Sequence, residues 1–185
     1  MAQFNSYLDV LDPTAATDYC RENGTVCHYK KEERFIQQGT VARYAALVVS
    51  GYFKLTTLNE SGNEAVINFA FPGQIITDIH SSIYGEPSEM SVIAGADSEI
   101  LRVQLKEFAS LLSSNLFVEH SALFKMTYMR CLNLYRKSPE QRYVELCRDY
   151  PNIVETVSLK DLASYLLITP GHLSRIRRKL AAILR

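Results

Sequence analysis

The residues best suited to chemistry lie near the carboxyl end of the chain, in the stretch LASYLLITPGHLSRIRRKL at positions 162–180. This stretch has the pattern of two short helices with apolar faces joined by a tight turn. Positive charge of this density favours an anionic partner, and such a helix fits the major groove of DNA. The residues alone leave a second interpretation open, a basic amphipathic tail. The charges are carried by Arg175, Arg177, Arg178 and Lys179.

The first of these helices is predicted to begin after Ser158, a favourable N-cap residue, with Asp161 in the position that completes a capping box. The turn that follows has an unusual residue, because Leu167 stands where such turns usually have a glycine with positive φ. A leucine in that conformation costs about 1 kcal/mol, so either the turn is rebuilt or the strain is tolerated. The apolar residues predicted on the inward face are Leu159, Leu162, Ala163 and Leu166.

The second helix is predicted to begin at Pro170, because Thr169 is a favourable N-cap and proline suits the first helical position. Its inward face has Leu173, Ile176 and Leu180 at helical spacing. The polar residues lie on another face, which is free to enter a groove. From their position alone we expect DNA contacts from His172, Ser174, Arg175, Arg178 and Lys179.

Position along the second helix indicates which contacts read bases. Side chains near the start of a helix in the major groove reach base edges. Arg175 suits a bidentate contact to guanine O6 and N7, whereas His172 and Ser174 can donate to bases or phosphates. Arg178 and Lys179 lie further along and suit phosphates, which position a protein without reading sequence.

Charge is unevenly distributed along the 185 residues. The formal net charge is zero, yet residues 1–136 hold 11 Lys/Arg and 15 Asp/Glu, whereas residues 137–185 hold 9 and 5. Residues 172–185 contain five basic side chains and no acidic one. An anionic partner is therefore expected for that end only.

No feature of the sequence indicates a membrane or a secreted protein. No apolar run approaches the roughly 20 residues of a membrane span, and the start MAQFNSYLDVLDP has no basic patch before an apolar core. We therefore expect a cytoplasmic protein without a membrane partner. The isolated cysteines lack CxxC spacing and are expected to be reduced thiols. They are Cys20, Cys27, Cys131 and Cys147.

The segment up to about residue 110 alternates short β-like runs with turn residues, which favours an antiparallel sandwich or barrel. LTTLNESGNEAVINF predicts a hairpin with its bend at Ser61-Gly62-Asn63. LDVLDPTAATDYCREN, before the strands, predicts a short helix. The predicted strand runs are VCHYKKEERFI, ARYAALVVSGYFKLTTL, EAVINFAF, SEMSVIAGA and SEILRV.

Between residues 115 and 136 the apolar period changes to steps of three and four, which predicts one long helix. The stripe extends over nearly three heptads and suits a seam between two copies of the chain. The other interpretation is a helix packed on its own β-domain. The seam is favoured, because Val118, Met129 and Leu132 offer the β-domain a second apolar face. The stripe predicted at a dimer interface comprises Phe117, Ser121, Phe124, Tyr128, Cys131 and Tyr135.

A resemblance to a known family is carried by the long helix and by the stretches SGYFKL, FPGQIITDIHSSIYGEPSEMSVIAGADSEILRV and SLKDLASYLLITPGHLSRIRRKL. Through these features nearly the whole chain resembles the Crp/Fnr superfamily of transcription regulators, to which the cyclic-AMP receptor protein belongs. The resemblance implies an α+β chain in three domains. These are an antiparallel β-roll of the cyclic nucleotide-binding type (a double-stranded β-helix) at 1–114, a dimerisation helix at 115–137 and a winged helix-turn-helix at 138–185. The last boundary coincides with the helix break at Lys137-Ser138-Pro139.

By the same resemblance, the protein is a homodimeric transcription regulator that binds double-stranded DNA at a pseudo-palindromic operator. RNA polymerase and an unknown small-molecule effector are further implied partners, and no cofactor is expected. Arg175 matches the recurrent base-reading arginine of the family, whereas Gly171 stands where many members have a glutamate that accepts from cytosine. The implied recognition positions are Thr169, Pro170, Gly171, His172, Arg175 and Arg178.

The sequence departs from the family at the phosphate-binding cassette. Members that bind cyclic nucleotides hold the ribose with a glutamate and pair an arginine with the buried phosphate, which is costly to bury unpaired. Here Ser88 occupies the arginine position and Glu89 follows it, so we expect no useful affinity for cyclic AMP. The residues assigned to a pocket for some other effector are Asp78, Ile79, His80, Ser88 and Glu89.

Two other classes of function stay open on the sequence. One is a ligand-binding regulatory module whose terminal domain contacts a protein instead of DNA. The other is an enzyme with a cupin-like β-roll, which needs clustered metal ligands. The histidines are scattered and no catalytic triad or carboxylate pair is evident, so we expect neither an enzyme nor a metal site. The histidines are His28, His80, His120 and His172.

Overall fold

A computed structural model gives the fold and describes residues 14–112 and 116–183. Helix α1 (Thr14–Asn23) precedes the strands, helix α2 (Ile79–Tyr84) interrupts them, and further helices follow them. The strands are β1 (Thr25–Tyr29), β2 (Arg34–Ile36), β3 (Tyr44–Ser50), β4 (Phe53–Leu58), β5 (Glu64–Ala70), β6 (Ile75–Ile76), β7 (Ser91–Ala94) and β8 (Ser98–Gln104). The later helices are α3 (Leu105–Leu112), α4 (Leu116–Arg136), α5 (Pro139–Asp149), α6 (Ile153–Thr156), α7 (Leu159–Tyr165) and α8 (Pro170–Ile183).

The strands form two four-stranded antiparallel sheets, in the orders β1-β8-β3-β6 and β2-β7-β4-β5. Several consecutive strands belong to different sheets, so the chain passes back and forth between the layers and winds into a roll. Apolar side chains of both sheets meet in one buried cluster, in which the rings of Tyr29, Phe35 and Phe53 lie 5.8 to 6.5 Å apart. The antiparallel β-roll predicted from the sequence is confirmed.

Strands β4 and β5 form the predicted hairpin, with Leu58 opposite Glu64. The carboxamide oxygen of Asn59 accepts from the backbone N–H groups of Ser61 and Asn63, at 3.0 and 2.9 Å. Gly62 has a φ of 75°, a conformation that a residue with a Cβ adopts only with strain. The predicted bend is therefore confirmed.

A second buried cluster joins the β-roll to the terminal helices. Tyr52, Val66 and Phe69 of the roll pack against apolar side chains of α5, α7 and α8, and the rings of Phe69 and Tyr165 lie 5.4 Å apart. The terminal helices therefore pack directly on the β-roll.

Sequence patterns missed two helices, and the resemblance wrongly predicted a wing. Helix α2, capped by Asp78, is only six residues long, and α3 continues directly from β8. No strand follows Gln104 within residues 105–112 and 116–183, so these residues form no wing. The carbonyl of Asn152 accepts from both the N–H and the hydroxyl of Thr156, which closes the short helix α6.

The ends of the helices mostly follow the predictions. The early helix is confirmed at Thr14–Asn23, and its predicted residues 8–13 lie outside the described part. The predicted break after α4 is confirmed, because Ser138 and Gln141 form a reciprocal capping box that opens α5. No helix within the described ranges is long and apolar enough to cross a membrane.

The second apolar face predicted for the long helix is wrong at Met129. Its side chain is 42% exposed, whereas the neighbouring Arg130 packs its guanidinium over the ring of Tyr165. Leu132 is half-buried, and Val118 lies outside the described side chains. The long helix therefore contacts α7 through Arg130, and Met129 of the predicted second apolar face does not take part.

Candidate nucleic-acid interface

Helix α7 begins as predicted, with the Ser158 hydroxyl oxygen accepting from the backbone N–H of Asp161 at 3.1 Å. The reciprocal half of the predicted capping box is wrong. The Asp161 carboxylate instead accepts from the Ser158 hydroxyl at 2.9 Å and from Nζ of Lys54 at 3.3 Å. The predicted inward residues Leu162, Ala163 and Leu166 are buried, and Leu159 is partly buried.

Lys54 ties α7 to the β-roll. This residue is 5% exposed, and its Nζ lies 3.1 Å from both carboxylate oxygens of Glu32 as well as 3.3 Å from Asp161. Burial acts to lower the pKa of Lys54, but the two carboxylates outweigh it and raise that pKa above its ordinary value. Lys54 therefore stays charged, and its pair with Asp161 joins residues 107 positions apart in the chain.

The turn after α7 is not rebuilt around Leu167, which has a φ of 56°. The N–H of Leu167 donates to the carbonyl of Ser164 at 2.9 Å, and the N–H of Ile168 donates to that of Ala163 at 3.0 Å. These two bonds define a Schellman motif, whose left-handed position is usually glycine. The Leu167 side chain is 58% exposed, so burial does not offset the strain. Of the two alternatives that the sequence left open, a rebuilt turn and tolerated strain, the structure shows tolerated strain at Leu167.

Helix α8 begins at Pro170, and Thr169 caps it by accepting from the N–H of His172 at 3.2 Å. The predicted inward face is confirmed, because Leu173 and Ile176 are buried against α7 and the β-roll, with Leu180 partly buried beside them. One side of the helix is thereby fixed to the protein.

The opposite side of α8 faces solvent. His172 and Ser174 are half-buried at its edge, and Lys179 pairs with Glu140 of α5 at 3.1 Å. Arg177 points inward instead, with its guanidinium carbon 5.7 Å from the ring centre of Tyr143. Among the predicted contact residues, the exposed ones are Thr169, Pro170, Gly171, Arg175, Arg178 and Lys179.

In the cassette, the structure brings Asp78 and Ser88 together. The Ser88 hydroxyl donates to the Asp78 carboxylate at 2.6 Å, and the other oxygen of that carboxylate accepts from the N–H of Ser81 at 3.0 Å. Asp78 and Ser88 are both buried, whereas His80 and Glu89 are exposed. Ile79 starts α2, and its side chain lies outside the described part. The assignment of these five residues to an effector pocket stays a prediction.

The stripe predicted for a dimer interface lies on α4 and is exposed where it is described. Phe124, Tyr128 and Tyr135 are 69, 51 and 86% exposed, and Cys131 is also exposed. The rings of Phe124 and Tyr128 stack 5.9 Å apart at an interplanar angle of 9°. The predicted Phe117 and Ser121 belong to the same helix but lie outside the described side chains. The role of the stripe stays a prediction.

Residues 26–115 match the cyclic nucleotide-binding domain family. These residues form a domain similar to that family. The match extends from β1 through α3, and the cassette lies within it. No curated protein sequence matches the chain significantly.

Solved structures share the fold of this domain and of much of the remaining chain. FixK2 from Bradyrhizobium japonicum is 20% identical, with 86% of this chain and 85% of that chain covered and a TM-score of 0.68. The c-di-GMP-responsive global regulator CLP from Xanthomonas campestris is 17% identical, with 91% of both chains covered and a TM-score of 0.68. A mutant of CooA from Carboxydothermus hydrogenoformans is 16% identical, with 98% and 85% covered and a TM-score of 0.66. These likenesses confirm the fold that the resemblance to the Crp/Fnr superfamily implied.

Sequence analysis missed the residues that connect the β-roll, the long helix and α5 to α7. Lys54 was one such residue, and its signal was a lone cation within the apolar run of β4. Arg130 and Arg142, which bind the end of α7, gave no comparable signal, because their partners are backbone carbonyls 35 and 24 positions away.

Proposed function

We propose that this chain is a DNA-binding transcription regulator of the Crp/Fnr type and not an enzyme, with its domains at 1–114, 115–137 and 138–185. The observation that supports this most directly is the two-sided character of α8. Its apolar side is buried, while Arg175 and Arg178 extend into solvent from the opposite side. A helix anchored on one side and cationic on the other suits the major groove of DNA.

In this proposal, α7 and α8 act as a helix-turn-helix with α8 as the recognition helix. Arg175 reads guanine, and Arg178 and Lys179 neutralise phosphates. Thr169 and Pro170 lie at the amino end of the helix, where free backbone N–H groups favour a phosphate. A Cβ added at Gly171 would meet nothing within 4 Å, so a side chain there would extend toward DNA. Gly171 therefore leaves one base without the contact that a glutamate would make.

The proposed regulator is a homodimer joined through α4. An aromatic stripe exposed to this degree on one helix is unusual for a monomer, and a parallel partner helix would bury it. Pairing would place two recognition helices side by side, as a pseudo-palindromic operator requires. Tyr128→Glu should therefore shift the mass in sedimentation equilibrium toward the monomer. Tyr84→Glu is the control, because Tyr84 is 66% exposed but lies away from the stripe.

The cassette supports a sensor domain that does not bind cyclic AMP. Ser88 has no positive charge to offer a phosphate, and its hydroxyl is already bonded to Asp78. A phosphate placed there would be close to a buried carboxylate, and like charges in a low-dielectric site repel strongly. Isothermal titration with cyclic AMP is expected to show no binding, and micromolar affinity would overturn this part of the proposal.

The decisive experiment is fluorescence anisotropy of the purified protein with a pool of short duplexes, including its own upstream region, at several salt concentrations. We expect salt-dependent binding with preference for a palindrome. Absence of salt-dependent binding to any duplex, with and without a panel of candidate small molecules, would contradict DNA recognition. A terminal domain that contacts a protein partner would then be favoured.

A further inference from the structure

The last backbone carbonyl groups of α7 need more hydrogen-bond donors than the N–H groups of the following turn supply. The last carbonyls of a helix have no partner within the helix. The Schellman motif uses the carbonyls of Ala163 and Ser164. It does not reach the next two carbonyls, those of Tyr165 and Leu166, which adjoin the strained residue Leu167.

Two arginines from other helices donate to these two carbonyls. Nη2 of Arg130, on α4, lies 3.2 Å from the carbonyl oxygen of Tyr165, and its guanidinium stacks 4.0 Å from the centre of the Tyr165 ring. Nη2 of Arg142, on α5, lies 2.9 Å from the carbonyl oxygen of Leu166, and its Nη1 donates to the carbonyl of Lys137 at 2.7 Å. Helices α4 and α5 therefore each contribute one arginine to the turn.

The charges of these arginines are compensated by the helix end. Within the described residues, neither Arg130 nor Arg142 forms an ion pair with a carboxylate. Burial lowers the pKa of both guanidinium groups. Both side chains are half-buried, and even partial burial of a cation is unfavourable unless something compensates its charge. The negative end of the α7 dipole and the ring of Tyr165 supply that compensation.

We propose that Arg130 and Arg142 are positioning residues that hold the turn between α7 and α8 and so set the direction of α8 relative to α4. The functional part of this inference rests on the proposed function, in which α8 reads DNA and α4 pairs two copies. A leucine at a left-handed position persists only where the surroundings over-determine it. The two arginines, together with the Schellman bonds, provide that restraint. Arg130 makes it a direct link between the long helix and the turn.

The first test compares Arg130→Met with Arg136→Met in the full-length protein. Both changes remove one cation from α4, but Arg136 is exposed, and no hydrogen bond or ion pair within the described residues joins it to the turn. We expect Arg130→Met to lower affinity for the preferred duplex by roughly 3- to 30-fold. Affinity for an unrelated duplex should fall equally in the two variants. Equal ratios of specific to non-specific affinity in the two variants would overturn the proposal.

The second test needs no DNA. Hydrogen–deuterium exchange of the amides at 167–176 should become faster in Arg130→Met and in Arg142→Met, and should stay unchanged in Arg136→Met. Leu167→Gly removes the strain, so adding it to Arg142→Met should restore slow exchange at 167–176. Unchanged exchange in both arginine variants, or no recovery with Leu167→Gly, would overturn the role of the arginines in the turn.

The two tests separate the two proposals. Absence of DNA binding by the unmodified protein would contradict the proposed function, and the exchange experiment would still decide whether the arginines hold the turn. Normal DNA binding by the unmodified protein together with unchanged exchange in the variants would contradict only the further inference.

Discussion

The cassette and the terminal helix pair each contain a buried aspartate near a helix start, and the two are satisfied in different ways. Asp78 accepts from the Ser88 hydroxyl and from the N–H of Ser81, which are 10 and 3 positions away in the chain. Asp161 pairs with the ammonium group of Lys54, which lies on strand β4 of the β-roll. The polar groups of the cassette thus form hydrogen bonds with one another, whereas Asp161 of the helix pair forms a charged link, the ion pair with Lys54 of the β-roll.

This difference indicates where an anion is expected to bind. In the cassette, the buried polar groups already have partners and the charge there is negative. On α8, cations extend into solvent from a helix whose other face is fixed. We therefore expect an anionic partner to bind at α8 in preference to the cassette. In a cyclic-nucleotide sensor the anion binds at the cassette instead.

The largest effect is expected from breaking the charged link. Lys54→Met leaves the Asp161 carboxylate buried without a cation, so the free energy of unfolding in urea should fall by about 3–5 kcal/mol. Replacing Asp161 with leucine in the same chain should recover most of that loss, because the unpaired charge is then absent.

The control for this change is Lys30→Met, which breaks an exposed ion pair with Asp97, 2.8 Å away. Exposed pairs contribute little to stability, so the urea midpoint should not move. A loss in Lys54→Met no greater than in Lys30→Met would show that the link does not hold the helix pair on the β-roll.

The next effect concerns the exposed face of α8. Arg175→Ala should weaken binding to the preferred duplex by about 1–3 kcal/mol and relax base preference at one position of each half-site. Lys179→Ala, measured by anisotropy beside it, should weaken binding to all duplexes alike and reduce the salt slope by about one. Uniform weakening by both variants would assign Arg175 to the phosphates instead.

A smaller effect is expected in the cassette. Ser88→Ala removes a neutral hydroxyl donor from the buried Asp78, which should lower the free energy of unfolding by about 1–2 kcal/mol. Ser61→Ala is the matched control, because Ser61 is exposed in the β4–β5 turn. A loss as large as that in Lys54→Met would remove the distinction between a local neutral contact and a charged link.

The smallest change is chemical labelling of two thiols, one in the β-roll and one on α4, which leaves the fold intact. Cys20 is fully buried in the β-roll, and burial raises its pKa to about 11. It should therefore resist iodoacetamide at pH 8, whereas exposed Cys131 should react, as mass spectrometry of the labelled peptides would show. Labelling of Cys131 should slow as protein concentration rises, since dimerisation covers α4. Labelling independent of concentration would contradict that interface.

Much of the fold and of the helix pair could be predicted, because both depend on local patterns. Alternating apolar residues and the bend at Gly62 predicted the β4–β5 hairpin, and Thr169-Pro170 predicted the start of α8. The helices α2 and α3 were missed because they are short and adjoin strands, so neither has a period long enough to recognise. The wing was predicted from resemblance alone, and no strand follows Gln104 within residues 105–112 and 116–183.

The sequence by itself determined which faces of α8 are apolar and which are basic, and that Leu167 stands at the turn position where glycine is usual. These properties depend on residues within four positions of each other, where helical spacing fixes the neighbours. Only the tertiary structure decided that Lys54 meets Asp161 and that Arg130 and Arg142 bind the end of α7. Such contacts join residues 24 to 107 positions apart. Their formation depends on how separate elements pack, and no local period encodes that.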